Sequence, residues 1–133
     1  MTCTDEELFE HALKIRERAY APYSKFKVGA AILDKNGAIH CGCNVENAAY
    51  PLGNCAETSA IAAMVSAGGG EIAKIAVLGG ADAITECAPC GGCRQAIAEF
   101  AGEDTAVLLK GADGVIQSLT VAELLPRAFR LKS

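Results

Sequence analysis

Four residues in two short stretches carry the chemistry open to this chain. Asn54-Cys55-Ala56-Glu57 places a carboxylate two positions after a cysteine, and Pro89-Cys90-Gly91-Gly92-Cys93 supplies a cysteine pair with two residues between them. Three thiolates suit zinc. A structural zinc site usually closes its tetrahedron with four protein ligands, whereas three leave a position for water, whose pKa the metal lowers from about 16 to about 7. Glu57 need not bind the ion and is then free to move protons. The set is the inventory of a hydrolytic centre. A structural zinc in a binding module, closed by Cys41, Cys43 or Cys87, is the other reading, and such a site would be indifferent to Glu57.

The spacing alone leaves one ambiguity, because Cys87, Cys90 and Cys93 are each three apart. Pro89 suits the residue just before a helix cap. That choice puts Cys90 and Cys93 on a first helical turn and Cys87 in the loop before it.

The rest of the chain must bring these stretches together. Its 133 residues fit a single domain over 1–133, with a 51% hydrophobic share that suffices for a packed core. Net charge is −4, with lysines and arginines scattered, which argues against nucleic acid and anionic membrane as partners. No apolar run reaches a membrane span, and the acidic start Thr4-Asp5-Glu6-Glu7 is unlike a signal peptide, so the expected location is the cytoplasm. Seven cysteines, an odd number, fit thiols and metal ligands better than a disulfide framework.

Thr4 and Glu7 form a capping box for a first helix, with Leu8, Ala12, Ile15 and Ala19 on one face, running to about Tyr20 before Pro22. His11 lies off that stripe, on the solvated side. Lys27 to Leu33 and Ala38 to Val45 read as strands joined at Asn36-Gly37, a tight-hairpin signal. Cys41 and Cys43 share one face of the second strand as small core residues, with His40 opposite. Cys55 to Ala67 is apolar nearly all round, the pattern of a buried helix, and Gly68-Gly69-Gly70 stops it. Ile72 to Leu78 reads as a buried strand broken by Gly79-Gly80, and Cys90 opens another helix with the stripe Ala96, Ile97 and Phe100. Thr105 to Leu109 and Val115 to Leu119 follow as strands, then a short helix capped by Thr120 and Glu123 and stopped by Pro126.

Strands separated by single helices predict parallel pairing, and the first two strands an antiparallel hairpin. The expected fold is α/β: a three-layer α/β/α sandwich around a mixed five-stranded sheet. Its crossover helices can set their N-termini side by side, gathering Cys55, Cys90 and Cys93 where free N–H groups favour thiolates.

Cys55-Ala56-Glu57 with Pro89-Cys90-Gly91-Gly92-Cys93-Arg94-Gln95 resembles the cytidine deaminase family in its compact form with cysteine as first ligand. The resemblance covers most of the chain, from Ser24-Lys25-Phe26 to Leu124-Leu125-Pro126-Arg127-Ala128-Phe129. It implies one zinc ion per chain on Cys55, Cys90 and Cys93, Glu57 as proton carrier, and hydrolytic deamination of cytidine and 2′-deoxycytidine in pyrimidine salvage. It also implies that Phe26 packs by the pyrimidine, that Asn44 and Glu46 bond the ribose hydroxyl, and that the backbone of Ala56 meets the base. Phe129 would reach the site of a neighbouring subunit in a homotetramer. Taken alone, Phe26 reads as core, Asn44 and Glu46 as turn residues, and Phe129 as a packing anchor. Blasticidin-S deaminases share the zinc motifs, but the Asn44/Glu46 pair and Phe129 look like the nucleoside enzymes. Many relatives of this type carry Arg directly after the catalytic Glu, donating to the ligand sulfurs; here Thr58 stands there, either sharing that task or bonded to its own backbone.

Overall fold

The computed structural model describes residues 3–131. The first helix, α1 (Asp5–Arg16), starts at the predicted capping box: Glu7 N–H donates to the Thr4 hydroxyl at 3.1 Å, and Thr4 N–H donates to the Glu7 carboxylate at 2.9 Å. It ends at Arg16, four residues short of the expected Tyr20. Tyr20 is needed elsewhere. It bridges to Val45, giving its N–H to Asn44 and taking one from Glu46, and that extended geometry is incompatible with helix. Arg16 is buried, its guanidinium donating to the carbonyls of Lys27 and Gly80, which ties the helix end to two strands.

The strands are β1 (Lys27–Asp34), β2 (Ile39–Cys43), β3 (Ile72–Gly80), β4 (Ala106–Lys110) and β5 (Ile116–Thr120), and they form one five-stranded sheet in the order β2-β1-β3-β4-β5. Three further helices, α2 (Ala56–Ser66), α3 (Gly91–Glu99) and α4 (Val121–Leu124), connect or follow them, with a single 3₁₀ turn over Tyr50–Leu52. The sheet is mixed as expected, and β3 and β4 pair in parallel across α3. Parallel pairing across α2 does not occur. β1 lies between β2 and β3 and is antiparallel to both, so the chain passes over its own hairpin before re-entering the sheet. β3 also runs on through Gly79 and Gly80, because both still pair with β1.

Alternate residues of the central strands feed two cores. Ala31, Ala76, Leu78 and Leu108 pack against Leu8, Phe9 and Ala12 of α1. Ala30, Ile32, Ile75, Val77, Val107 and Leu109 face the other way, onto Ala60 and Met64 of α2, Ile97 of α3 and Val121 of α4. The three layers are α1, the sheet, and α2 with α3 and α4.

Two glycines let the helices sit this close. A Cβ on Gly29 would lie 2.1 Å from the Ala12 carbonyl oxygen of α1, and one on Gly42 would lie 2.3 Å from the Ala60 nitrogen of α2. Any side chain at either position would push a helix off the sheet. α2 is less enclosed than its composition suggests: Ala56, Glu57, Ala60, Ile61 and Met64 are buried, but Val65 is 48% exposed and Ala62 lies open as well. One side of this helix meets the sheet and α3, and among the described residues no element covers the other.

In the hairpin, Gly37 takes the positive φ of +91° that Asn-Gly promised. Asp34, which sequence pattern did not single out, organises the turn: its carboxylate accepts from the N–H groups of Asn36 and Ala38, both at 2.9 Å, and from His40 Nε2 at 2.7 Å. His40 is thus on the face away from the α1 core, where Cys41 packs, and His11 is exposed.

Candidate active site

Helix entry positions the cysteines. Cys55 is the N-cap of α2 and Cys90 the N-cap of α3, both in extended conformation, and Cys93 falls in the first turn of α3 at 2% exposure. The Sγ atoms of Cys55, Cys90 and Cys93 lie within 4.8 Å of one another, and no other group of this kind occurs among the described residues. That donor set fits zinc. A tetrahedral ion with Zn–S bonds of about 2.3 Å holds its sulfurs about 3.8 Å apart, within reach of this cluster after small adjustment. Cys87 is outside the group, in the loop between β3 and α3.

Thiol electrostatics depart from the simple helix-end expectation. Cys90 is lowered, chiefly because the Cys93 backbone N–H bonds its sulfur. Burial instead pushes Cys55 and Cys93 upward, Cys93 also through the nearby Glu57 carboxylate. Desolvation is the leading influence at two of the three sulfurs. A cation is what such a set requires before all three become thiolates.

Glu57 lies on the first turn of α2 and is only 4% exposed. Burial raises its carboxyl above the ordinary glutamate value. A buried acid with a raised pKa, in a cavity next to a ligand cluster, is suited to taking and giving protons. Thr58 does not face the sulfurs with its hydroxyl, which donates to the Cys55 carbonyl at 3.0 Å.

The cluster opens onto a cavity of about 640 Å³. Asn44, Glu46, Ala56, Glu57 and the three cysteines all line it. The Asn44 amide holds the start of β1, accepting from Val28 N–H and donating to the Phe26 carbonyl. Glu46 accepts from the N–H groups of Tyr23 and Ser24 at 3.0 and 3.1 Å and from the Ser24 hydroxyl, which keeps its carboxyl below the ordinary range. An amide carries two N–H donors and a carboxylate about four acceptor sites, so both residues keep capacity toward the cavity.

Phe26 and Phe129 stand apart from that lining. The Phe26 ring packs over Gly79, where an added Cβ would meet its Cε2 at 3.2 Å and the Cys87 sulfur at 2.9 Å, so Phe26 backs the cavity wall that Cys87 forms. Phe129 is 68% exposed, with its carbonyl accepting from Gln95. Within its own chain it touches no part of this cavity.

Tyr23, Ser24, Tyr50, Asn54 and Cys87 line the cavity without having been anticipated. Most sit in irregular loops whose course depends on the Tyr20–Val45 and Val45–Asn54 bridges, contacts that no periodic pattern announces. Cys87 did carry a signal, its place in the three-apart series. Burial, Glu57 and the neighbouring sulfurs push its thiol up to about 11.

Comparison with known proteins agrees with this geometry. Residues 2–109 match the family described as the cytidine and deoxycytidylate deaminase zinc-binding region. A cytidine deaminase of Halalkalibacterium halodurans is 48% identical over 122 residues, covering 92% of this chain and 91% of that protein. The cytidine deaminase of Sporosarcina psychrophila is likewise 48% identical, over 93% of this chain and 90% of its own. Among solved structures, a cytidine deaminase from Burkholderia pseudomallei superposes with a TM-score of 0.88 at 45% identity, over 96% of this chain and 100% of that one. With its motifs gathered at one cavity and relatives of this identity spanning nearly its whole length, the chain belongs to the cytidine and deoxycytidylate deaminase zinc-binding family.

Proposed function

We propose that this protein hydrolyses the exocyclic amino group of cytidine and 2′-deoxycytidine, giving the uracil nucleoside and ammonia, as a step of pyrimidine salvage in the cytoplasm. The observation that carries this reading is a buried Glu57 beside three convergent cysteine sulfurs at a cavity of nucleoside size. Zinc held by Cys55, Cys90 and Cys93 would supply the Lewis acidity that makes water a nucleophile at neutral pH.

The residues of the chain do the rest. Glu57 accepts a proton from the attacking water and delivers it to N3 of the pyrimidine as the C4–O bond forms. It then carries the second water proton to the amino group, so that the C4–N bond breaks with ammonia as the leaving group. Backbone N–H of Ala56 meets the base edge, and Phe26 supports the wall against which the ring lies. Asn44 and Glu46 turn their remaining donor and acceptor toward the sugar hydroxyl. Among the described residues no lysine, arginine or histidine lines the cavity, and Glu46 would repel a phosphate, which favours nucleoside over nucleotide.

The same reading includes a homotetramer in which Phe129 completes a neighbour's site. The exposure of Phe129, Tyr50 (81%) and Leu52 (66%), large apolar side chains on the surface of a single chain, supports it.

The deciding experiment offers purified protein cytidine, deoxycytidine, CMP, cytosine and blasticidin S and measures ammonia. Release from the two nucleosides alone is expected. Turnover of blasticidin S in preference to cytidine would reassign the substrate, and zinc-loaded, folded protein silent on all five would return the site to a structural role.

A further inference from the structure

The turn that carries two of the three cluster cysteines has little of its own to hold it. Gly91 and Gly92 separate Cys90 from Cys93, and a Cβ built on either would meet nothing within 4 Å outside its own helix, so no neighbouring element packs on these two positions. Glycine in a helical turn is the residue least held by its own conformational preference. Beyond the Cys93 N–H bond to the Cys90 sulfur, no side chain of the turn caps the helix.

Arg94 supplies the missing restraint from one residue beyond. Its Nε donates to the Pro89 carbonyl at 2.8 Å, directly before Cys90, while its Nη1 donates to the Leu124 carbonyl at 3.0 Å, at the end of α4. The guanidinium therefore staples the ligand turn to the C-terminal helix. Pro89 is fully buried, and Arg94 is half-buried over a small apolar hollow with Ile97, Val107, Val121 and Leu124. A planar fork serves two carbonyls in different directions at once, and lysine, a point charge on a flexible stem, does not.

The geometry points to Arg94 as a positioning residue for the metal: it touches neither sulfur nor substrate, and it sets the Cys90–Cys93 turn in ligating shape by anchoring Pro89 to α4. The docking of α4 and the retention of zinc are then one linked equilibrium. Gln95, the next residue, holds the Phe129 carbonyl at 2.8 Å with its side-chain amide and not the ligand turn, so it is the natural control on the same helix.

This inference rests on the zinc reading above, and the experiment separates the two. Zinc content of the wild-type protein comes first, since wild-type protein that binds no zinc defeats the zinc reading itself. Zinc transfer to a chromogenic chelator is then timed for wild type, Arg94→Ala, Arg94→Lys and Gln95→Ala, with folding checked by circular dichroism. Expected are about tenfold or faster zinc loss in Arg94→Ala and an intermediate rate in Arg94→Lys, as outer-shell supports of metal ligands generally show, with Gln95→Ala near wild type. If Arg94→Ala fails to fold, Arg94→Lys decides. Wild-type zinc release in a folded Arg94 variant overturns the assignment. Equal acceleration by Gln95→Ala overturns it too, by showing general loosening of α3 instead of a specific hold on the turn.

Discussion

Asn44 grips Phe26 and Val28 at once: its amide nitrogen donates to the Phe26 carbonyl and its amide oxygen accepts from Val28 N–H, both at 2.8 Å. One side chain thus fixes the start of β1 and faces the cavity. Asn44→Asp keeps the acceptor and loses the donor, setting a carboxylate against a carbonyl. KM for cytidine should rise about tenfold or more, in line with the ~1–3 kcal/mol cost of unpairing such a group. Zinc content should stay unchanged, and steady-state kinetics with metal analysis checks both.

Serine at Cys55, Cys90 or Cys93 should remove zinc and activity together, because each supplies one of three sulfurs in the cluster. Cys87→Ser should keep the metal. Zinc loss from Cys87→Ser with retention in Cys93→Ser, read by metal analysis, would move the ligand pair three residues upstream.

Glu57→Gln should fold, hold zinc and lose about 10³-fold or more in turnover, since the proposed mechanism passes both proton transfers through this carboxylate. The metal-free proteins should differ in stability as well. Burial raises the native pKa of Glu57, so the folded state binds a proton more readily than the unfolded one. Stability from this group is therefore complete below about pH 4.3, the unfolded value, and declines as pH rises through the native one. Glu57→Gln removes that decline. Metal-free melting curves should show the variant gaining on wild type toward neutral pH.

Phe129→Ala should raise KM severalfold, the scale of one lost aromatic contact at ~1 kcal/mol, with zinc intact. Sedimentation should show a tetramer for the wild-type protein. A fully active monomer would remove Phe129 from the site.

Asp34 gives a pH effect of opposite sign. Its carboxyl is held below the ordinary range, first by the His40 ring and then by Ala38 N–H. The stability it contributes is complete above about pH 3.9 and is lost as pH falls through the lower native value. Asp34→Ala should lower the melting temperature at neutral pH, and the deficit should shrink in strong acid. A pH series of thermal melts checks this.

What the sequence disclosed follows from where each signal is written. Capping boxes at Thr4 and Thr120, the Asn36-Gly37 turn and the strand runs are local, and each appears within a residue or two of its expected place. Cys55 and Cys90 were legible because a helix cap is local too. The insertion of β1 between β2 and β3 was not, since nothing in a strand names its neighbour. Arg16 and Tyr20 were hidden for the same reason: what buries one and unwinds the other is chain tens of residues away. Thr58 offered two readings, and the backbone bond to Cys55 took its hydroxyl.

Cys55 and Cys90 stand 35 residues apart, at the starts of helices that flank β3. An ion bridging them closes a covalent-like ring around an entire strand and its helix. Cross-linking a loop of that length withdraws chain entropy from the unfolded ensemble worth about 4 kcal/mol in the simplest polymer account. The ion needed for chemistry would then also be a large part of what keeps the sheet closed, so chelation should silence the enzyme and lower its unfolding midpoint together.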